Sequence, residues 1–373
     1  MNEREHNFDR QTDRQTDRQT GPELLRIIAM LLIVFHHYAF HGGIDYSTFS
    51  VNNTFLTIIE SGGKIGVNIF ILITGYFSCQ SKFSIRRIVK ILIATEFYSI
   101  ILMIVSILVH AQVISRSKLL LTGFFPLLFG GGYWFVSFYI ILFVLSPILN
   151  IAVERLSKKT LTFIILFLLS IYCILPNTIG VLKSLNDYGL STVIWFIMMY
   201  LIGAYFREYS FKLFDYQKLS IVLLACSMLI MFSSRVFILY KGESGMLSKI
   251  VRILADDSLY SIMPFVISVL FFIVFSCIHI RANRILFSLA KATFGVYLIH
   301  DNVLFKDFLW NSILKEQMMY QSDWFIIYSI GSVLLLYIVC SVIEILREKL
   351  LDSWLMHTDF MNKLITKVDR RIV

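Results

Sequence analysis

The sequence predicts an all-α polytopic membrane protein with about ten transmembrane helices and both termini in the cytoplasm. Of its 373 residues, 57% are hydrophobic and only 16% are charged, whereas an ordinary soluble protein is about 25% charged. The apolar residues fall into long runs, and the basic residues lie between them. This composition excludes a soluble globular enzyme, a disordered protein and a coiled coil.

Each of the ten apolar runs is as long as a membrane-crossing helix or a little shorter. About 20 apolar residues in a helix span the hydrocarbon core, and buried or tilted helices tolerate fewer. The ten runs cover residues 22–41, 62–79, 88–110, 133–152, 160–176, 190–206, 218–239, 259–279, 286–306 and 324–346. A further run at 119–129 contains Pro126 and precedes three glycines, so we expect an interfacial or re-entrant segment there.

The basic residues set the predicted orientation and account for the net charge of +9. Cytoplasmic loops of membrane proteins are enriched in Lys and Arg. Such residues follow the second, fourth, sixth, eighth and tenth runs, whereas loop 42–56 contains none. Because they do not form a compact patch with interleaved aromatic side chains, we do not expect nucleic-acid binding.

Three regions are predicted along the chain. Residues 1–21 form a polar tail with the repeat RQTDRQTDRQT at 10–20, which cannot bury a core and should be disordered. Residues 22–346 form the membrane domain, and residues 347–373 form a basic cytoplasmic tail. The five cysteines lack the spacing of a disulfide framework or a zinc site, so we expect neither of these. We also expect no metal among the site residues and no permanently bound cofactor.

The first apolar run carries ionisable residues, each of which costs about 2.5–3.5 kcal/mol inside a membrane span. Such residues therefore usually face a cavity or a partner. Eleven helical steps separate Arg26 from His37, about 1100° or three turns plus ~20°. The two residues thus share a face and lie about 16 Å apart along the axis, whereas His36 points ~80° away from Arg26. His41 follows His37 by four residues and shares its face.

This arrangement suits a site that binds an anion near one surface and transfers protons deeper in the membrane. Arginine binds phosphate or carboxylate, and histidine moves protons near neutral pH. Simpler interpretations stay open: Arg26 could anchor the helix at the membrane surface, and His37 could hydrogen-bond a neighbouring helix. A metal site formed by His37 and His41 lacks an evident acidic or cysteine third ligand.

Four short motifs in the same order resemble those of the membrane-bound acyltransferase 3 family, whose members O-acylate bacterial cell-surface carbohydrates. The similarity extends over about residues 21–346. In the first run, Arg26 and His37 match the family's pattern of Arg and His separated by ten residues. The other motifs lie at 66–70 with 74–75, at 134–135 with 145–147, and at 297–300. Each is weak alone, but four in order are fairly specific.

The resemblance implies an acyl-CoA, with acetyl-CoA expected, as the cytosolic donor. Arg26 would bind the CoA phosphates together with Arg87 and Lys90, through short charge-assisted hydrogen bonds. His37, with Arg26 on the same face, would form the catalytic pair. The sequence leaves open whether His37 acts as general base on the acceptor hydroxyl or as a transient acyl carrier.

The implied acceptor is a hydroxyl of an exopolysaccharide, a capsule or a lipid-linked sugar at a bacterial plasma membrane. Membrane lipid and the polysaccharide-synthesis machinery are the implied partners, and Asn68, Trp134 and His300 are the candidates for the acceptor side. Three positions depart from the family pattern. Asn68 stands where many members have Asp, Lys90 where many have a second Arg, and Tyr139 where some branches have Glu. The last departure concerns the polysaccharide subclass more than the acyl chemistry.

Two other functions remain as alternatives. A transporter or exporter of polysaccharide or a small solute would also carry Arg and His inside its spans, but a proton relay distributes such groups through the span. Here Arg26 lies at the predicted inner mouth, together with Arg87 and Lys90, which favours the enzyme. A membrane scaffold within a polysaccharide synthase would tolerate replacement of His37 without loss of chemistry.

Overall fold

All the secondary structure that the computed structural model describes is helical, as predicted. The described residues are 20–45, 47–109, 116–127, 132–178, 189–209, 212–242, 244–281 and 283–352. The helices are α1 (Thr20–His41), α2 (Val51–Glu60), α3 (Gly62–Ser78), α4 (Ile85–Leu108), α5 (Arg116–Phe124), α6 (Trp134–Arg155), α7 (Lys158–Leu169), α8 (Leu175–Thr178), α9 (Gly189–Glu208), α10 (Gln217–Lys241), α11 (Met246–Ala255), α12 (Ile262–Ser276), α13 (Arg284–His300), α14 (Glu316–Met319) and α15 (Phe325–Arg347). Turns of π-helix at Ser170–Ile174, Phe308–Ile313 and Glu348–Asp352, and of 3₁₀-helix at Lys212–Asp215, supplement them.

Eight segments of the described chain are long and apolar enough to cross a membrane, which makes this a multi-pass membrane protein. They are Thr20–His41, Val51–Ser78, Ile85–Leu108, Trp134–Arg155, Lys158–Thr178, Gly189–Glu208, Gln217–Lys241 and Phe325–Leu351. The other two predicted runs, 259–279 and 286–306, form the shorter helices α12 and α13, of 15 and 17 residues. The side of the membrane on which each terminus lies stays a prediction.

The predicted tails fall almost entirely outside the described residues. Helix α1 begins at Thr20, so only the last two residues of the predicted 1–21 tail are described, and both are helical. At the other end, the π-helical turn that follows α15 ends at Asp352, and the rest of the predicted 347–373 tail lies beyond the described part. Of the additional apolar run at 119–129, the first part belongs to α5.

Helix α3 lies in the middle of the fold, because small residues allow the backbones of two other helices to come close to its own. A Cβ added at Gly66 would lie 2.5 Å from the carbonyl oxygen of Ala29 on α1. One added at Gly203 on α9 would lie 2.3 Å from the carbonyl oxygen of Leu72. In a membrane, such close packing is a main driving force for helix association. Helices α1 and α9 therefore flank α3 directly.

The second span is broken at Ser61, between α2 and α3. The Ser61 hydroxyl donates to the carbonyl oxygen of Ile58 at 2.6 Å. From α10, the Arg235 guanidinium donates to the Glu60 carboxylate at 2.6 Å and to the Thr57 carbonyl oxygen at 3.0 Å. On the α1 side, His36 Nδ1 hydrogen-bonds the Glu60 carbonyl oxygen. Since hydrocarbon cannot satisfy the backbone groups that a break exposes, these contacts stabilise it.

Candidate functional site

A cavity of about 500 Å³ lies between α1, α3, α4, α6 and α13. Five basic side chains line it, and among the described residues of its lining there is no Asp or Glu. The five are Arg26, Lys64, Arg87, Lys90 and Lys291. Both His36 and His37 also line the cavity. A cleft lined by one sign of charge, with low-dielectric walls, concentrates ions of the opposite sign, so this cavity is suited to a polyanion.

Three of these cations come from the start of α1 and the first turns of α4. The Arg26 side chain is 31% exposed, with Nη1 3.7 Å from a Glu23 oxygen. Arg87 is exposed and donates to the Ser81 hydroxyl at 3.2 Å. Lys90 follows Arg87 by three residues, so the two share a helix face. Because α4 begins here, the positive end of its dipole adds to the same field. We call Arg26, Arg87 and Lys90 the basic mouth.

The His37 ring is hydrogen-bonded to His300, and the contact fixes which nitrogen carries the proton. His300 Nδ1 lies 2.6 Å from the carbonyl oxygen of Val296. A carbonyl can only accept, so the proton of His300 is on Nδ1 and its Nε2 carries a lone pair. That Nε2 lies 2.9 Å from His37 Nδ1, which must therefore donate. His37 is left with a lone pair on Nε2, as a general base requires.

A carboxylate stands beside this pair. Asp301 Oδ1 lies 3.9 Å from His37 Nδ1 and 3.5 Å from His41 Nε2. Lys306 Nζ is 3.9 Å from the same oxygen. The sequence placed Asp301 next to His300, but adjacent helical residues point about 100° apart. The helix ends at His300, and the carboxylate turns back toward α1. We call His37, His41, His300 and Asp301 the histidine end.

Lys64 lies between the two regions, and the sequence did not single it out as a site residue. It lies on α3, within a predicted span, and lines the cavity. Its ammonium stands 5.3 Å from the ring centroid of Trp134 and makes no ion pair with the described residues. A cation inside a span without a carboxylate partner marks a functional site by default. Its position in an apolar run was the signal that could have identified it.

The predicted site residues divide into those that line the cavity and those that do not. Arg26, His37, Arg87, Lys90 and Trp134 line it. His300 is fully buried behind His37. Asn68 is also fully buried, and its Oδ1 accepts from Trp195 Nε1 at 2.8 Å. Tyr139, at the position where some relatives have Glu, lines the cavity and hydrogen-bonds Thr74 at 3.1 Å.

Comparison with known proteins gives one match. The acyltransferase 3 model, which describes an acyltransferase domain, matches residues 19–343. No curated protein and no solved structure matches the chain.

Proposed function

The chain belongs to the acyltransferase 3 family, and from this membership we propose that it is an O-acetyltransferase that uses acetyl-CoA. The acceptor would be a hydroxyl of an exopolysaccharide or another cell-surface or lipid-linked carbohydrate. Family membership itself gives a membrane-bound acyltransferase. The donor, the acceptor and the bacterial plasma membrane belong to the proposal.

The observation that carries the proposal is a cavity with five cations, no carboxylate in its described lining, and His37 in its wall. CoA carries a pyrophosphate and a further phosphate on its ribose. Arginine binds phosphate with two parallel charge-assisted hydrogen bonds, and lysine binds it as a point charge. Arg26, Arg87 and Lys90 would hold these groups at the basic mouth. The thioester end would then extend along α1 toward His37, about 16 Å away along the helix axis.

In the proposed reaction, Nε2 of His37 takes the proton of the acceptor hydroxyl. The hydroxyl oxygen attacks the thioester carbonyl carbon, and the resulting oxyanion collapses with cleavage of the C–S bond. CoA leaves as a thiolate and receives the proton from His37. Asp301, beside His37 Nδ1, would stabilise the imidazolium that forms. The Lys64 ammonium would stabilise the oxyanion.

The same tautomer also serves the second mechanism. If His37 is an acyl carrier, Nε2 attacks the thioester itself, and the acetyl group then passes from the imidazole to the acceptor oxygen. The two mechanisms differ kinetically. The carrier releases CoA before the acceptor binds and gives ping-pong kinetics, whereas the general base requires both substrates together.

The test is acetyl transfer by purified protein in lipid bilayers. Labelled acetyl-CoA is added on one side, and CoA release is followed with and without cell-envelope glycan. We expect glycan-dependent release that His37→Ala abolishes while CoA binding persists. His279→Ala, at an exposed histidine between α12 and α13, is the matched control. Failure of CoA to bind, with no turnover across several glycans and acyl-CoAs, would favour a transporter instead.

A further inference from the structure

Two imidazoles and one carboxylate converge where α1 ends, at the histidine end. His37 and His41 lie one turn apart on α1, and Asp301 directly follows α13. One donor atom from each of the three residues lies within 4.8 Å of the other two. The Asp301 carboxylate is thus the third ligand that the sequence did not make evident for this histidine pair.

We propose that His37, His41 and Asp301 form a binding site for a divalent transition-metal ion such as Zn²⁺. Two histidines at positions i and i+4 of a helix with a carboxylate from another segment form a ligand set that zinc uses, with one coordination position left open. Tetrahedral bonds of about 2.0–2.1 Å place ligand atoms ~3.3 Å apart. The separations of 3.5 and 3.9 Å from Asp301 Oδ1, and that of the two histidine nitrogens, which is within 4.8 Å, reach that value through side-chain rotations.

The surroundings allow an ion to enter. The His41 side chain is 12% exposed and that of Asp301 is 7% exposed, so the cluster is sheltered but reachable from the end of α1. The Lys306 ammonium also lies 3.9 Å from Asp301 Oδ1, and the Lys306 side chain is 24% exposed. It can therefore turn toward solvent when an ion binds the carboxylate. His300 Nε2, 2.9 Å from His37 Nδ1, offers a fourth nitrogen.

Occupation of the site changes the tautomer of His37. In the metal-free protein Nδ1 carries the proton and Nε2 the lone pair. An ion on Nδ1 moves that proton to Nε2, which then cannot accept one from a hydroxyl. The bound ion would therefore inhibit acetyl transfer, a consequence that rests on the proposed function. Binding of the ion does not rest on it, because the ion needs only the three ligands.

The test is Zn²⁺ binding to the purified full-length protein, measured by competition with a chromogenic zinc chelator in the absence of acetyl-CoA and acceptor. We expect one equivalent to bind and its affinity to fall at least about tenfold in His41→Ala and in Asp301→Asn. His279→Ala controls for surface histidines and should bind as the unaltered protein does. Co²⁺ in the site should show the visible absorption of a four-coordinate ion, which His41→Ala removes.

No stoichiometric binding, or binding that both variants leave unchanged, would overturn the proposal. If Asp301→Asn does not fold, His41→Gln, at a partly exposed position on the last turn of α1, decides the question alone. Acetyl transfer is followed in a separate assay. This assay uses metal-free protein, because a bound ion is expected to inhibit the reaction. A protein that binds Zn²⁺ at this cluster but transfers no acetyl group when free of metal would refute the proposed function and support the metal site.

Discussion

The two ends of helix α1 present opposite electrostatic designs. At the basic mouth, Arg26 is 31% exposed, and the cavity lining beside it contains no carboxylate among the described residues. At the histidine end, His37 is 12% and Asp301 7% exposed, and the His37 and His300 rings hydrogen-bond each other. Attracting an anionic ligand through solvent requires only an excess of positive charge. Proton transfer instead requires hydrogen-bond donors and acceptors that are held in fixed positions. The first region is therefore expected to govern binding and the second to govern rate.

The largest expected effect is that of His37→Ala on rate. Loss of a general base lowers turnover by about 10³-fold, and none of the other three residues of the histidine end lines the cavity to replace it. The CoA dissociation constant should stay within about twofold, since the basic mouth is intact. Turnover and CoA affinity, measured on the same preparation, check this, with His279→Ala as control. A variant that turns over normally would remove His37 from the mechanism.

Lys64→Gln should sharpen the comparison, because Lys64 lies between the two regions. If it stabilises the oxyanion, turnover falls about 100-fold with CoA affinity nearly unchanged, and Lys64→Arg restores part of the rate by restoring the charge. Single-turnover rates and CoA titration separate the two quantities. An effect on CoA affinity alone would assign Lys64 to the basic mouth.

Reversing both charges in Arg87→Glu/Lys90→Glu should weaken CoA binding by about 30-fold, or ~2 kcal/mol. The contribution of the native cations is partly screened by salt, so the difference between variant and unaltered protein should shrink as ionic strength rises. Isothermal titration with CoA at two salt concentrations measures this. Lys159→Glu, an exposed lysine on α7 outside the cavity lining, is the control. Unchanged affinity would place the donor elsewhere.

The smallest effect is expected for His300→Leu. The substitution removes the acceptor for His37 Nδ1, a hydrogen bond worth about 1 kcal/mol. Turnover should therefore fall roughly fivefold as the other tautomer of His37 becomes populated. His300→Gln, whose amide oxygen also accepts, should recover part of the loss. Because His300 is fully buried, thermal unfolding of each variant is compared first. If both variants lose equal activity, the tautomer has no role.

Helical class, multi-pass character and family were predictable because they depend on composition and on motifs within single helices. The stripe of Arg26 and His37 was predictable for the same reason, since helix geometry fixes which side chains share a face. The contacts of His300 and Asp301 with α1 were not. They depend on how α13 packs against α1 and on the turn of the chain at Asp301. Neither the packing nor the turn can be read from a single sequence.

The broken second span also escaped prediction. The segment Val51–Glu60 begins with the polar residues Asn52, Asn53 and Thr54, which are uncommon inside a membrane span. Ser50 caps the start of this helix by accepting from the Asn53 N–H at 3.0 Å, and Arg235 contacts its end through Glu60 and Thr57. Lys64 was not identified from the sequence for the same reason, because its partner Trp134 comes from another helix.

The break at Ser61 also bears on how the protein is made. The ribosome completes the second span long before it reaches Arg235, 175 residues after Glu60. Until then the nascent chain carries the Glu60 carboxylate and the Thr57 carbonyl oxygen without the guanidinium that contacts both of them in the folded protein. The contacts of the second span are thus completed only when α10 has been synthesised. Chains that terminate before α10 would lack these contacts altogether.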